Sequence, residues 1–265
     1  MSARAAAACV IAAGCGHIDF DPRLDAACTL GAWSSPTPLA ATINSSTRTW
    51  GGQISPDGLA LYYSAKTANG QRTFVAERAS RADPFASSQP TNVAIAASDD
   101  DDDPSLTGDQ LEMWFDRTTP ASAGRLYSTA RTAIGQAWSD PILQDGVDNN
   151  AVTDAPWIAL DGLSVYYTDV DSYTIRVQTR ASRSDTFTGG GQLVPLGIAA
   201  NVGTAWLSAD QLAITFQACA VIGSPGFTFF GMLGLMSIGL FLRFRDQPVM
   251  FEGSPIAPCP IAIDR

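Results

Sequence analysis

With 265 residues, 46% of them apolar, the chain can bury one sizeable core, and a single domain is the simpler expectation at this length. A net charge of −10 excludes a phosphate-binding surface, so neither nucleic acid nor an anionic membrane face is an expected partner. The single histidine, His17, leaves no multi-histidine zinc site and no histidine in the body of the chain for a Ser–His–Asp triad.

The N-terminus has the order of an export signal. Arg4 supplies the positive charge and residues 5–13 a short apolar run. The following Ala12-Ala13-Gly14-Cys15 resembles a bacterial lipobox, with Ala12 where leucine is usual. The resemblance implies a lipoprotein-type signal peptide over residues 1–14, a lipid on Cys15 and a tether over 15–30. The lipid would anchor the protein to the cell envelope, on the outer membrane or the periplasmic face. An ordinary secretory leader, or a start placed too early, fits the same residues. Of the 5 cysteines, Cys9 leaves with the signal, and Cys28, Cys219 and Cys259 remain. These allow at most one disulfide, and Cys28 with either partner would tie the two ends together. Their spacing is not that of a metal site.

Internal repeats dominate the next two hundred residues. Four segments align without gaps: ISPDGLALYYS from Ile54, LTGDQLEMWFD from Leu106, IALDGLSVYYT from Ile158 and LSADQLAITFQ from Leu207. Each has an aspartate at its fourth position: Asp57, Asp109, Asp161 and Asp210. A leucine follows two residues later, then an aliphatic residue and an aromatic one at steps of two. That alternation is strand periodicity. The Pro-Asp-Gly before it is turn chemistry: proline presets φ, aspartate bonds the local backbone, and Gly58 and Gly162 accept positive φ. These aspartates are therefore expected as structural turn formers rather than catalytic groups. A residue present once per repeat serves the repeat.

Beyond each hairpin a third strand ends in arginine: Arg78, Arg131 and Arg180. A further strand is expected ahead of each hairpin, in PLAATI, NVAIAA, PILQDG and QLVPLGI. Four strands in a period of about fifty residues are the sign of β-propeller blades. The residues SPDG-L-L-YYS, with a following strand such as FVAER, resemble the TolB-type, WD-like propeller repeat. The expected fold is all-β: a β-propeller of about four four-stranded blades over residues 31–217. The blades fall around 33–84, 85–137, 138–186 and 187–217, the last irregular.

Residues 218–265 break the pattern. Their densest apolar stretch, 227–242, has three readings: a C-terminal membrane helix with a basic stop, the missing third strand carrying an insert, or a tail from a damaged reading frame. In the third-strand reading, Arg245 echoes the earlier arginines.

The conspicuous polar feature is the run Asp99-Asp100-Asp101-Asp102-Asp103. It reads as a solvated acidic loop or as calcium ligands without EF-hand spacing. Asp102 and Asp154 share one repeat position and form the candidate cation or partner site. Trp50, Trp114, Trp157 and Trp206 either pack between blades or line a ligand surface. No nucleophile elbow, metal-ligand cluster or cofactor motif appears, so no catalytic residue and no cofactor are expected. The function that fits is a non-catalytic envelope lipoprotein whose propeller binds a protein or glycan. A carboxylate-dependent glycosidase or lyase on a propeller is the alternative.

Overall fold

The computed structural model describes residues 38–44, 48–148, 151–196, 201–207, 213–219 and 242–243. These form four antiparallel sheets in chain order. The first contains β1 (Thr49–Ile54), β2 (Ala60–Thr67), β3 (Gly70–Glu77) and β4 (Ser87–Pro90). The second contains β5 (Asp100–Leu106), β6 (Glu112–Thr119), β7 (Ser122–Ala130) and β8 (Ile142–Leu143), followed by the single turn α1 (Asp145–Asp148). The third contains β9 (Thr153–Ile158), β10 (Ser164–Asp169), β11 (Thr174–Thr179) and β12 (Gln192–Leu193). The fourth contains β13 (Asn201–Leu207), β14 (Ala213–Cys219) and β15 (Leu242–Arg243). Successive strands are neighbours throughout, which is the meander of a propeller blade.

The turns are built as their residues require. Gly58 N–H donates to the Ser55 carbonyl at 2.7 Å, and Gly58 sits at φ 75. Asp57 Oδ1 accepts from Ser55 Oγ at 2.5 Å and from Leu59 N–H at 2.9 Å, locking the loop from inside. Asp109 does the same with Thr107 and Leu111, and Asp161 accepts from Leu163 N–H at 2.8 Å. In the second sheet the glycine position is Gln110, which adopts φ 59 despite its side chain.

Alternate residues of the second strand face opposite neighbours. Met113 and Phe115 pack back onto Tyr62 and Leu106, while Trp114 packs forward onto Ile158, Tyr167 and Phe187. Val165 and Tyr167, then Ile214 and Phe216, repeat the backward contact. The core is thus a series of gaps between sheets, each filled from both sides. The leucine that recurs in the repeat lies at its edge: Leu59, Leu111 and Leu163 are half-buried, and their carbonyls accept the Arg78, Arg131 and Arg180 backbone N–H.

The outer strand differs from the sequence expectation. It follows the third strand of the same sheet instead of preceding the first. Residues 92–96 pair with no strand, and residues 41–44 form a turn. Their apolar residues are buried as plugs: Ile43 is 2% exposed against Tyr63 and Phe85, and Val93, Val147 and Leu196 fill the later gaps. Burial alone, without a ladder partner, produces the apolar pattern that reads as a strand.

Of the stretch 227–242, only its last residue is described. Leu242 and Arg243 pair with Ile214 and Ala213 as the third strand of the fourth sheet. Arg245 lies outside the described residues. Among the described residues no helix is long and apolar enough to cross a membrane. The signal, Cys15, the tether, Cys28, Cys259 and Asp210 lie outside the described residues, and of Cys219 only the backbone is described.

Candidate functional site

Each first strand carries a bulge at the same place. Its inserted residue adopts a left-handed backbone: Gly51 at φ 51, Asp103 at 47, Ala155 at 49 and Thr204 at 41. A bulge bends the strand and re-aims the side chains beside it. Here the four bulges converge on one cavity of about 10 Å³, lined by Gly52, Asp103, Pro104, Ala155, Pro156, Trp157, Thr204, Ala205 and Trp206. That volume holds about one water molecule. Among the described lining residues the only carboxylate is Asp103. Gly51 leaves the space the Asp103 carboxylate occupies, since a Cβ there would collide with Oδ1.

Behind the cavity wall the bulges assemble a knot of acids. Asp103 on β5, Asp116 on β6 and Asp154 on β9 each bring a carboxylate oxygen to within 4.8 Å of the others. Asp116 is 6% exposed and its Oδ1 has no hydrogen-bond partner. Asp154 Oδ1 accepts from the Ala155 N–H at 2.7 Å. No described arginine or lysine pairs with any of the three. Asp102 stands directly across the ladder from Asp116. One of its oxygens accepts from Gln71 Nε2, and the other is buried without a partner.

Burial and mutual repulsion set the electrostatics. Asp102 is pushed up to about 8, by burial first and then by Asp103 and Asp154. Asp103 is pushed up to about 8 by burial and by Asp154. Asp116 lies well above the usual carboxylate range, through burial and then Asp154, Asp102 and Asp103. Asp154 is raised by burial, which the Ala155 N–H and then a hydrogen bond with the Asp116 carboxyl partly offset. Such a knot is stable with protons shared among its members or with a cation between them.

Asp102 and Asp154 occupy equivalent places just before their bulges, but against different walls. Asp102 lies against Gln71 of the first sheet and Asp154 against Asp116 of the second. The sequence pattern does not single out Asp116, and it offers Asp103 only as the last member of the acidic run. Asp116 closes the eleven-residue motif, at a position that is polar in every copy: Ser64, Asp116, Thr168 and Gln217. A polar residue retained inside an apolar strand is the signal that marks it. The rest of the acidic run is used locally. Asp101 pairs with Arg117 at 2.6 Å, and Asp100 accepts from the Gln71 N–H at 2.5 Å. Trp114 is core, whereas Trp157 and Trp206 line the cavity. Arg48 lies over Trp50 at 4.8 Å.

At the turn end of the sheets, arginines brace each repeat, and two of them reach the preceding sheet. Arg78, Arg131 and Arg180 donate from Nε to the turn carbonyls of Gly58, Gln110 and Gly162 at 2.6, 2.9 and 2.7 Å. Each stacks on the aromatic that follows it: Phe85, Trp138 and Phe187. Arg131 also reaches Tyr62 of the preceding sheet, and Arg180 reaches Glu112.

Four-stranded meanders around converging first strands define a β-propeller-type fold. No family model matches the chain, and no curated protein matches it. Solved structures do. A putative TolB from Agrobacterium tumefaciens aligns at 12% identity and TM-score 0.50, over 78% of this chain and 67% of that one. TolB from Acinetobacter baumannii aligns at 12% identity and TM-score 0.49, over 78% of this chain and 44% of that one. A thermostable family-43 glycoside hydrolase aligns at 14% identity and TM-score 0.46, over 79% and 75%. This chain therefore spans less than half the length of the Acinetobacter TolB. At such identity the likeness establishes the fold, which is TolB-like.

Proposed function

We propose that this is a non-catalytic scaffold of the cell envelope, anchored through a lipid on Cys15, whose propeller presents a rigid surface to a protein or glycan partner. The observation that carries the reading is the cavity where the four first strands converge. It holds about one water molecule, with one carboxylate among two tryptophans and two prolines. Small-molecule sites are larger, of the order of 300–1,000 Å³. A glycosidase needs two carboxyl groups facing each other across a sugar-sized cleft. Among the described residues Asp103, Asp116 and Asp154 form one knot with oxygens within 4.8 Å of one another, too close to admit a sugar ring between them. Recognition on such a body belongs to its outer surface, where rigid sheets hold exposed loops in place.

The test uses purified protein with a panel of envelope polysaccharides. Retention of the protein on a polysaccharide, or on an envelope protein, without release of reducing ends or of unsaturated product supports the scaffold. Time-dependent release of either product, abolished in Asp116→Asn, overturns it in favour of the glycosidase or lyase alternative.

A further inference from the structure

We propose that Asp103, Asp116 and Asp154 bind a divalent cation of the calcium class, and that this ion clips the second sheet to the third. The inference stands apart from the scaffold reading, and either can fail alone.

Three observations support it independently. The first is geometric. The three oxygens lie within 4.8 Å of one another, so an ion at their centre sits within about 2.8 Å of each, close to the roughly 2.3–2.6 Å of calcium–oxygen bonds. Magnesium, at about 2.0–2.1 Å with strict octahedral demands, would need the knot to contract further. The second is an orphan: Asp116 is 6% exposed, and its Oδ1 is buried with no hydrogen-bond donor. A buried carboxylate oxygen without a donor is strongly unfavourable unless a cation or proton meets it. The third is the missing counter-charge. The described arginine and lysine side chains pair elsewhere, as Arg117 does with Asp101 and Arg176 with Asp169.

The ligands also come from the right places. Asp103 and Asp116 belong to β5 and β6 of one sheet, and Asp154 to β9 of the next. An ion held by all three would add to the apolar gap of Trp114, Ile158 and Tyr167 and to the Arg180–Glu112 pair that already join these sheets. Asp103 opens on the cavity, which is large enough for one water molecule to complete the ion's coordination. All three donors are hard oxygens, and among the described residues no thiolate or imidazole joins them to favour zinc or copper.

The experiment is calorimetric titration of chelator-stripped full chain with calcium chloride, repeated with magnesium chloride, beside thermal melts. Calcium is expected to bind with one site per chain, more tightly than magnesium. It should raise Tm by about 5 °C or more at a hundredfold excess over Kd. Asp116→Asn keeps the shape of the side chain and removes its charge. It should weaken calcium binding at least tenfold, yet melt higher than the stripped wild type because the repulsion is relieved. Asp99→Asn, in the neighbouring acidic run, should leave the affinity unchanged. The proposal is overturned by absence of heat and of any Tm shift at millimolar calcium. It is equally overturned if Asp116→Asn binds as wild type does, or if Asp99→Asn alone abolishes binding. Should Asp116→Asn fail to fold, Asp103→Asn at the cavity edge takes its place with the same expected loss.

Discussion

Replacing Arg180 by methionine strips three kinds of contact, of which the Glu112 pair crosses from the third sheet to the second while the other two brace the third sheet itself. The Arg180 side chain is 7% exposed, and its Nη2 donates to Glu112 Oε2 at 2.8 Å and Oε1 at 3.1 Å. Its Nε donates to the Gly162 carbonyl at 2.7 Å, and its guanidinium lies 4.7 Å from the Phe187 ring centroid. Breaking a buried ion pair costs about 3–5 kcal/mol when the remaining charge is left alone. Glu112 is not left alone, because Trp114 Nε1 still donates to it at 2.8 Å and Arg183 stays at 3.4 Å. The ion pair therefore contributes about 2 kcal/mol, the orphaned Gly162 carbonyl about 1 kcal/mol and the ring contact about 0.5–1 kcal/mol. The total is about 4 kcal/mol, or a fall in Tm of the order of 10 °C for a chain of this length. Urea unfolding followed by tryptophan fluorescence reads it. A cycle with Glu112→Gln isolates the pair. A loss below about 1 kcal/mol, or a coupling energy near zero, would refute the idea that these arginines fasten one sheet to the next.

Phe115 is fully buried in the gap between the first and second sheets, so Phe115→Ala should cost about 3–5 kcal/mol and Phe115→Leu about 1 kcal/mol, read as shifts in urea midpoint. Asp169 behaves oppositely to the acid knot: burial pushes its carboxyl up, but Arg176 and Ser172 outweigh that and hold it below the usual carboxylate range. Its stabilisation is complete above pH about 4 and disappears as pH falls through the lowered value, so Asp169→Asn should lose about 1–2 kcal/mol at pH 7 and converge with wild type near pH 2. An equal gap at both pH values would mean that the loss is packing rather than charge. Cys15→Ser should shift the protein from the membrane to the soluble fraction; unchanged fractionation removes the lipid anchor from the proposed function.

The repeat was legible in the sequence because everything that makes it is local. Asp57, Asp109 and Asp161 bond residues two positions away, and alternation along a strand depends only on the pleat. The sheets, their turns and the aliphatic and aromatic core positions follow from that. What is not local was misread or missed. Ile43 and Val93 looked like strand residues, and only the packed gaps show them as plugs. The outer strand Ser87–Pro90 carries little apolar signal because it is a largely exposed edge, whereas Ile142–Leu143 and Gln192–Leu193 fall inside the expected segments PILQDG and QLVPLGI but close the preceding sheet instead of opening the next. The acid knot was half visible. Asp102 and Asp154 share a repeat position, but Asp103 and Asp116 join Asp154 only because a left-handed bulge and a ladder partner bring them there. The sequence determined which residues build each blade. The tertiary structure decided which carboxylates meet, because that depends on how two sheets pack across a gap, and no period along one chain encodes it.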